Sequence, residues 1–561
     1  MSPIVPATPQ PSLFRRWLVP SLLDVFFGAL LVSAFAYPQG LRSLLSDGDT
    51  GWHIRAGELI LKTGRVPVAD PFSFSRPGKP WFAWEWLADV VFAEIWRWRG
   101  VAAVASLAGV TLALAATALL ARILRRGCGL WIGLGAAMAA VSASSIHYLA
   151  RPHVFSILFY TLALWLLAED RLQRGPLLWL LVPFTAVWTN LHAGYVAWLG
   201  TLGLLLLLCA AQRDWRDTRR YGTLAILCSI ATLLNPYGWN LHLHIVRYLN
   251  SAWIVDHVQE FQSPQIRSEG MVVFALLLLT TLMVASRADR FEALLVLVWG
   301  FLALRSARHV PFFAIAAAPV LASRVAACWA QLVLRTGGRS PLRIFWEVAQ
   351  EFGRRPRVTV WLPVSAAVVM GAGPSVGFPE TVFPVLAVER NLQRLAPAAA
   401  MPRVLTSDQW ADYLIFRLYP QQRVFFDGRS DFFGPAIGSD YRKLFAGERP
   451  WRELLDRYRF DLALLPLDWA LSTALNREPE WRLVYQDSVA VLYARDAGRT
   501  PRSARVPLDP PLADQLEAAP DQRRSTPMKA GYSSAFFRVQ RRLTEAAGPR
   551  FLQRSWDGGP I

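Results

Sequence analysis

VAAVASLAGVTLALAATALLARILRR, residues 101–126, runs for twenty-one residues without a charge before Arg122, Arg125 and Arg126 arrive together. About 20 apolar residues in a helix cross the hydrocarbon core of a bilayer. Arginines crowded at one end of such a run mark its cytoplasmic side. Working outward, similar runs lie at 17–37, 130–147, 154–168, 177–190, 194–211, 222–236, 270–286, 291–305, 310–330 and 358–374. The expected fold class is therefore an α-helical polytopic membrane protein with about eleven transmembrane helices and a small α/β domain at the C-terminal end.

The composition agrees. Of 561 residues 53% are hydrophobic, 24 are Trp, and the mean hydropathy is +0.28. The net charge of +18 could suit nucleic acid, but the arginines gather at the ends of apolar runs and form no single basic stripe. Cys128, Cys209, Cys228 and Cys328 fall in or beside those runs with no metal-ligand spacing, so neither a disulfide framework nor a structural zinc site is expected. The first run, after Arg15 and Arg16, ends in Ala34-Phe35-Ala36, which resembles a signal-peptidase site. Its length favours an uncleaved span.

The same charge rule orients the chain. Arg213, Arg216, Arg219 and Arg220 occupy another alternate connection, and the loop from Arg324 to Arg357 adds Arg335, Arg339, Arg343, Arg354 and Arg355. The N-terminus is then cytoplasmic and the C-terminal region extracytoplasmic. The expected layout is a cytoplasmic tail at 1–16, a membrane domain at 17–375 with a first outer loop at 38–100, a linker at 376–399, a soluble α/β domain at 400–496, and a flexible basic tail at 497–561 with one helix near 533–546. All eight histidines, His53, His147, His153, His192, His242, His244, His257 and His309, fall on the outer side of that drawing. Polar groups near membrane depth are costly and commonly line a cavity or pathway.

The first outer loop carries LSDGDTGWH, residues 45–53. Trp52, Ala56, Leu59 and Ile60 form one apolar stripe, predicting a short helix along the membrane surface that Gly64 stops. Asp49 stands where an N-cap belongs. Asp47 lies outside that geometry, which makes it the stronger candidate for chemistry. Turns at Asp70-Pro71 and Pro77 to Pro80 lead to the aromatic group Trp81, Phe82, Trp84 and Trp86, an interface belt that holds Glu85. Other outer connections supply Arg151 and His153, Asn190 and His192, Asn235, and Arg308 and His309. Arginine offers phosphate oxygens a planar fork, and a nearby carboxylate can act as general base. Such a mouth suits a substrate with a phosphate to hold and a hydroxyl to activate.

The segments DGDTGWHIRAGELIL, ADPFSF, WEWL, RPHVFS, NLHAGY, LLNPYG and RHVPFF look similar to those of the GT-C superfamily of integral membrane glycosyltransferases, in particular an uncharacterised bacterial branch like the dolichyl-phosphate-mannose protein mannosyltransferases. The resemblance covers most of residues 15 to 500. It implies an inverting hexosyl or pentosyl transfer from a polyprenyl-phosphate-linked donor to a glycan, lipid or protein acceptor, on the outer face of the bacterial cytoplasmic (inner) membrane. Asp47 would be the base, with Asp49 as its partner. Together they would hold a divalent cation such as Mg or Mn if the reaction is metal-dependent. His53, Glu85, Arg151, His153, Asn190, His192, Asn235, Arg308 and His309 would bind substrate. The alternative is a non-catalytic component that binds, flips or exports a polyprenyl-linked glycan, which needs cations but no base. No HExxH motif points to a zinc protease.

Beyond the last run, RVLTS, RVFFDGR, FDLALLP, WRLVYQ and VAVLYAR read as short strands, with helical ADYLIFRLY, WRELLDRY and LSTALNR between them. FDGRSDFFG reads as a turn held by Asp and Gly. No glycine-rich phosphate cradle follows a strand, so nucleotide binding is not expected.

Overall fold

Every apolar run of the sequence becomes helix. The computed structural model describes residues 17–36, 38–336, 340–353, 356–392 and 402–496. The expected N-terminal tail, the basic tail with its 533–546 helix, and Arg339, Arg354 and Arg355 lie outside the described residues. The elements that position the site are α1 (Leu22–Phe35), α2 (Asp49–Thr63), α3 (Trp86–Arg125), α4 (Leu130–Ser144), α5 (His153–Leu172), α6 (Leu181–Leu191), α7 (Tyr195–Ala211), α8 (Trp215–Ala231), α9 (Glu269–Ala285), α10 (Arg290–Arg305), α11 (Val310–Leu334), α12 (Trp361–Ala372) and α13 (Asp408–Leu418).

Four helical stretches, Trp86–Arg125, Leu130–His147, His153–Leu172 and Ala307–Leu334, are long and apolar enough to cross a membrane. The helices of α7 and α9, apolar but shorter, rise only about 26 Å, against a hydrocarbon core of about 30 Å. Leu207, Leu276, Met283 and Phe301 are exposed, as expected of helix faces that meet lipid rather than water. The protein is a multi-pass helical membrane protein.

The chain divides into two compact units. The first is Met1–Gly377 with Asp408–Gly438, and the second is Phe378–Ser407 with Ser439–Ile561. Segment 408–438, expected within the 400–496 domain, thus belongs with the first unit. There Phe27 and Leu31 of α1 pack with Val110 and Ala113 of α3, against Leu362 and Val369 of α12. Buried Asp24 ties α1 to the start of α12 by accepting from the Thr359 N–H (3.1 Å) and hydroxyl (2.9 Å). Helix α3 is broken at Gly100 (φ 73°), so its first turns, which carry Asp89, run separately from the span that follows.

Helix α2 departs from its expected setting. Gly64 (φ 65°) ends it, but it does not lie with one stripe down on a surface. His53, Ile54, Ala56 and Ile60 are all buried, because α3 packs on one side and α13 on the other. The close approach of α13 depends on Gly48 and Gly51. A methyl at Gly51 would stand 2.7 Å from the Asp412 carbonyl oxygen, and one at Gly48 would collide with that of Gln409.

The second unit holds a four-stranded sheet, β1 (Val404–Leu405), β2 (Leu462–Pro466), β3 (Trp481–Gln486) and β4 (Ala490–Arg495), in the order β1-β2-β4-β3. β1 is parallel to β2, and the remaining pairs are antiparallel, with Leu464 opposite Leu492. The expected strand at 423–429 is not in this sheet. Val424 makes an isolated parallel bridge with Ser73 in the first unit. Its backbone is taken up there instead: the Phe74 N–H donates to Val424 O (2.9 Å) and the Val424 N–H to Phe72 O (3.0 Å), and Val424, Phe425, Phe426 and Asp427 are all buried.

Candidate functional site

The turn before α2 sets the first two carboxyl groups. Gly48 is already in helical backbone conformation and no side chain caps it. Asp47 Oδ1 instead accepts the N–H of Asp49 (2.9 Å). The capping role expected of Asp49 is thus taken by Asp47, because the turn begins one residue early. Asp49, in the first helical position, is left to face sideways.

What it faces comes from the turn before α5. The Ala150 N–H donates to Leu44 O (2.7 Å), and Thr50 Oγ1 donates to Ala150 O (2.8 Å). This pins the turn across the start of α2 and delivers Arg151 between the two aspartates. Its Nη1 is 3.2 Å from Asp47 Oδ2 and its Nη2 is 2.8 Å from Asp49 Oδ2. Nη1 also meets Glu260 Oε1 at 2.6 Å. The other oxygen of Glu260 lies 3.8 Å from Arg308 Nη2, and the Arg308 guanidinium sits 4.1 Å from the Phe261 ring centre. Ser306 Oγ fixes this loop by donating to Glu260 O (2.9 Å).

Burial, and then the negative charge of Asp49, push the Asp47 carboxyl up to about 7, with Arg151 opposing. Burial acts the same way on Glu260, but Arg151, with Arg308 also nearby, outweighs it and holds that carboxyl well below the usual range. Burial disfavours the Arg151 charge, yet Asp49, Glu260 and Asp47 keep it protonated. Burial raises Asp49 as well, with Arg151 opposing, so a pair of raised carboxyls stands beside the charges of Arg151 and Glu260.

A second group adjoins the first. His53 Nδ1 is 2.6 Å from Asp89 Oδ1, and Glu85 stands between His53 Nε2 (3.7 Å) and His192 Nε2 (3.5 Å). Burial raises Glu85 to about 8 despite Arg151. Burial, then Arg151 for His53 and His153 for His192, hold both imidazoles neutral. His192 Nδ1 pairs with Ser156 Oγ (2.7 Å), and His153 Nε2 contacts the His147 carbonyl.

The third group escaped the sequence reading. Asp412 of α13 is fully buried, with the Gly428 N–H directed at both its carboxyl oxygens (3.2 Å each). Its carboxyl hydrogen-bonds that of Asp49. Asp49 Oδ1 is buried with no other partner, so a proton on Asp412 satisfies it. Burial and then the charge of Asp49 drive Asp412 far up, toward the neutral acid. Behind it Arg429 bridges Asp427 (2.6 Å) and Asp70 (2.8 Å) beneath Phe72 and Trp81. Of FDGRSDFFG, expected to be a turn throughout, only residues 426–429 are non-helical, since Ser430 opens the helix Ser430–Ala446; Asp427 and Arg429 also form a sealed ion pair. Carboxylates inside the apolar runs WADYLIF and RVFFDGR were the available signal. Glu260 sits in a loop without a motif and offered none beyond its charge.

The structure therefore brings together Asp47, Asp49, Arg151 and Arg308, with His53, Glu85, His153 and His192 alongside. It does not bring Asn235 there: its side chain closes its own turn on Thr232 O (2.8 Å), Gly238 O (3.1 Å) and the Tyr237 N–H (2.8 Å). Asn190 braces helices by accepting from Trp86 Nε1 (2.7 Å) and donating to Leu234 O (2.8 Å). His309 packs against Trp299 (5.8 Å between ring centres). A divalent cation at Asp47 and Asp49 fits poorly, because the Arg151 guanidinium occupies the position between them. Among the described residues no cluster of three or more His, Cys, Asp or Glu side chains has a metal-holding arrangement.

No protein-family model matches the chain, and no curated protein matches it. Among solved structures it is similar to ArnT from Cupriavidus metallidurans bound to undecaprenyl phosphate, with a TM-score of 0.47 at 14% identity over 84% of this chain and 98% of that one. The apo state of the same protein gives a TM-score of 0.44 at 13% identity, over 84% and 97%.

Proposed function

We propose that this chain is a glycosyltransferase of the cytoplasmic membrane, moving a sugar from a polyprenyl-phosphate-linked donor to an acceptor on the outer face, with inversion. The N-terminus is cytoplasmic and the C-terminal domain extracytoplasmic. The observation that carries the reading is Asp47: a carboxyl raised to about 7, one oxygen of which is shared with an arginine. A general base is most effective when its pKa lies near the working pH. As the acceptor oxygen attacks the sugar carbon, Asp47 takes the hydroxyl proton. The carbon–oxygen bond to phosphate breaks, and its electron pair leaves on the polyprenyl phosphate. Arg308, whose one ion pair among the described residues is with Glu260 at 3.8 Å, and Arg151 offset the charge of that leaving group. Glu85, kept protonated, offers a hydrogen bond to a sugar or acceptor oxygen, with His53 and His192 holding it in place.

A component that only binds or flips the glycan would need the arginines but not a near-neutral carboxyl, which favours the enzyme. The test incubates purified full-length protein with radiolabelled polyprenyl-phosphate sugars and membrane extract, comparing wild type with Asp47→Asn. Transfer by the wild type and none by the variant is expected. Equal transfer by both removes Asp47 from the chemistry, and no transfer by the wild type with any donor favours the binding reading.

A further inference from the structure

Away from the carboxyl groups, at the arginine-rich end of the helices, one cation stands alone. Arg122, in the last turn of α3, is only 6% exposed. Its Nε and Nη1 are buried without a hydrogen-bond partner. The arginines around it are each satisfied: Arg126 pairs with Glu292, Arg125 with Glu169 at 3.4 Å, and Arg171 grips Asp289 through two bonds of 2.9 and 3.2 Å. Arg122 has no carboxylate within ion-pair reach among the described residues.

The side chain lines a cleft where α3, α5, α10 and α11 meet. Leu164, Leu167 and Leu295 form apolar walls, Arg171 and Glu292 stand at the rim, and the enclosed part has room for about one water, the rest of the cleft being open at its mouth. A guanidinium among apolar walls is costly unless an anion compensates it. A water could accept its hydrogen bonds but would leave the charge unbalanced. Glu292, the acidic group that faces the cleft, is already committed to Arg126. Basic pockets between helices at the membrane surface are suited to lipid headgroups.

We propose that this cleft is a binding site for a phosphate group, with Arg122 as its buried cation, and that the apolar walls favour phosphate carried on a lipid over the free ion. The site is separate from the Asp47 cluster and does not depend on transfer activity.

The experiment reconstitutes the full-length chain in phosphatidylcholine vesicles containing a minor fraction of spin-labelled phosphatidic acid. It measures the immobilised lipid fraction by electron paramagnetic resonance, with spin-labelled phosphatidylcholine as reference. Wild type should retain phosphatidic acid several-fold over phosphatidylcholine, and Arg122→Gln should lose most of that preference. Arg125→Gln, at a half-exposed cation, should keep it, and Arg122→Lys should keep part. Inorganic phosphate that displaces the label from wild type would support the phosphate chemistry but assign the free ion. Failure to displace it assigns the lipid. Equal retention of both lipids by wild type, or an unchanged preference in Arg122→Gln, would overturn the site.

Discussion

Two arginines in the first unit are each clamped between aspartates, and the two clamps differ in what they leave unused. Around Arg429, the guanidinium and the carboxylates of Asp427 and Asp70 have side chains no more than 2% exposed, with aromatic rings covering them. Around Arg151, the side chains of Asp47, Arg151 and Glu260 are 13%, 22% and 27% exposed, and the Asp47 carboxyl is pushed up to about 7. The same pair of residue types thus serves as a fastening in one place and as a reactive group in the other. Solvent access makes the difference, since each cluster holds one more carboxyl than guanidinium once Glu260 and Arg308 are counted.

The largest expected effect comes from the open clamp. Asp47→Asn should lower transfer by about 10²–10⁴-fold, the usual contribution of a general base, while polyprenyl-phosphate sugar still binds; a binding assay run beside the transfer assay checks both. The closed clamp should answer in stability instead. Arg429→Met leaves two buried carboxylates unpaired, and losing one partner of a buried pair costs about 3–5 kcal/mol, readable as a fall in the denaturation midpoint of the full chain. If Arg429→Met lowers transfer but leaves stability unchanged, the division between the clamps fails.

Asp412 joins the two regions and tests the boundary. Asp412→Ala deprives Asp49 Oδ1 of its donor, at a cost of about 1–3 kcal/mol. Asp412→Asn, which can still donate, should remain within a few-fold of wild type in transfer. Equal damage from both would remove the protonated carboxyl from the account.

The pH responses of activity and stability should run in opposite directions. Transfer should increase as pH rises through about 7 and Asp47 ionises. Asp47 and Glu85 both have folded pKa values above those of the unfolded chain, so the folded state binds more protons between about pH 4 and 8. Their contribution to stability is complete below the ordinary carboxylate range and is lost as pH rises through about 7 and 8. Parallel activity and denaturation series across that window check both signs. The smallest effect belongs to Asn235→Ala, which should loosen its turn by about 1 kcal/mol and leave the KM for donor unchanged.

The helical architecture was legible because a membrane span is written locally, in twenty consecutive residues. The site was legible only where chemistry shared a motif with its neighbours. Asp47 and Asp49 stand together in sequence, and Arg151 lies beside a histidine at a helix start. Glu260 and Asp412 join them from 109 residues beyond Arg151 and, through α13, from much later in the chain. The local mark on Asp412 is the apolar run around it, WADYLIF; its partner becomes visible only when α13 docks on α2. Asn235 illustrates the reverse, a polar residue near histidines whose hydrogen bonds are all spent within its own turn. The capping reading failed for a similar reason, since a turn that starts one residue early exchanges the duties of two aspartates.

Helix α2 meets α13 through glycines, and that has a mechanical consequence. Side-chain contacts can absorb a change by rotating, but at Gly48 and Gly51 main chain rests almost directly on main chain. The spacing between the Asp49 and Asp412 carboxyl groups is therefore fixed by backbone dimensions, like a gauge block between two faces. Mutations elsewhere can tilt the tools around this floor, while a single added carbon at either glycine would move the floor itself.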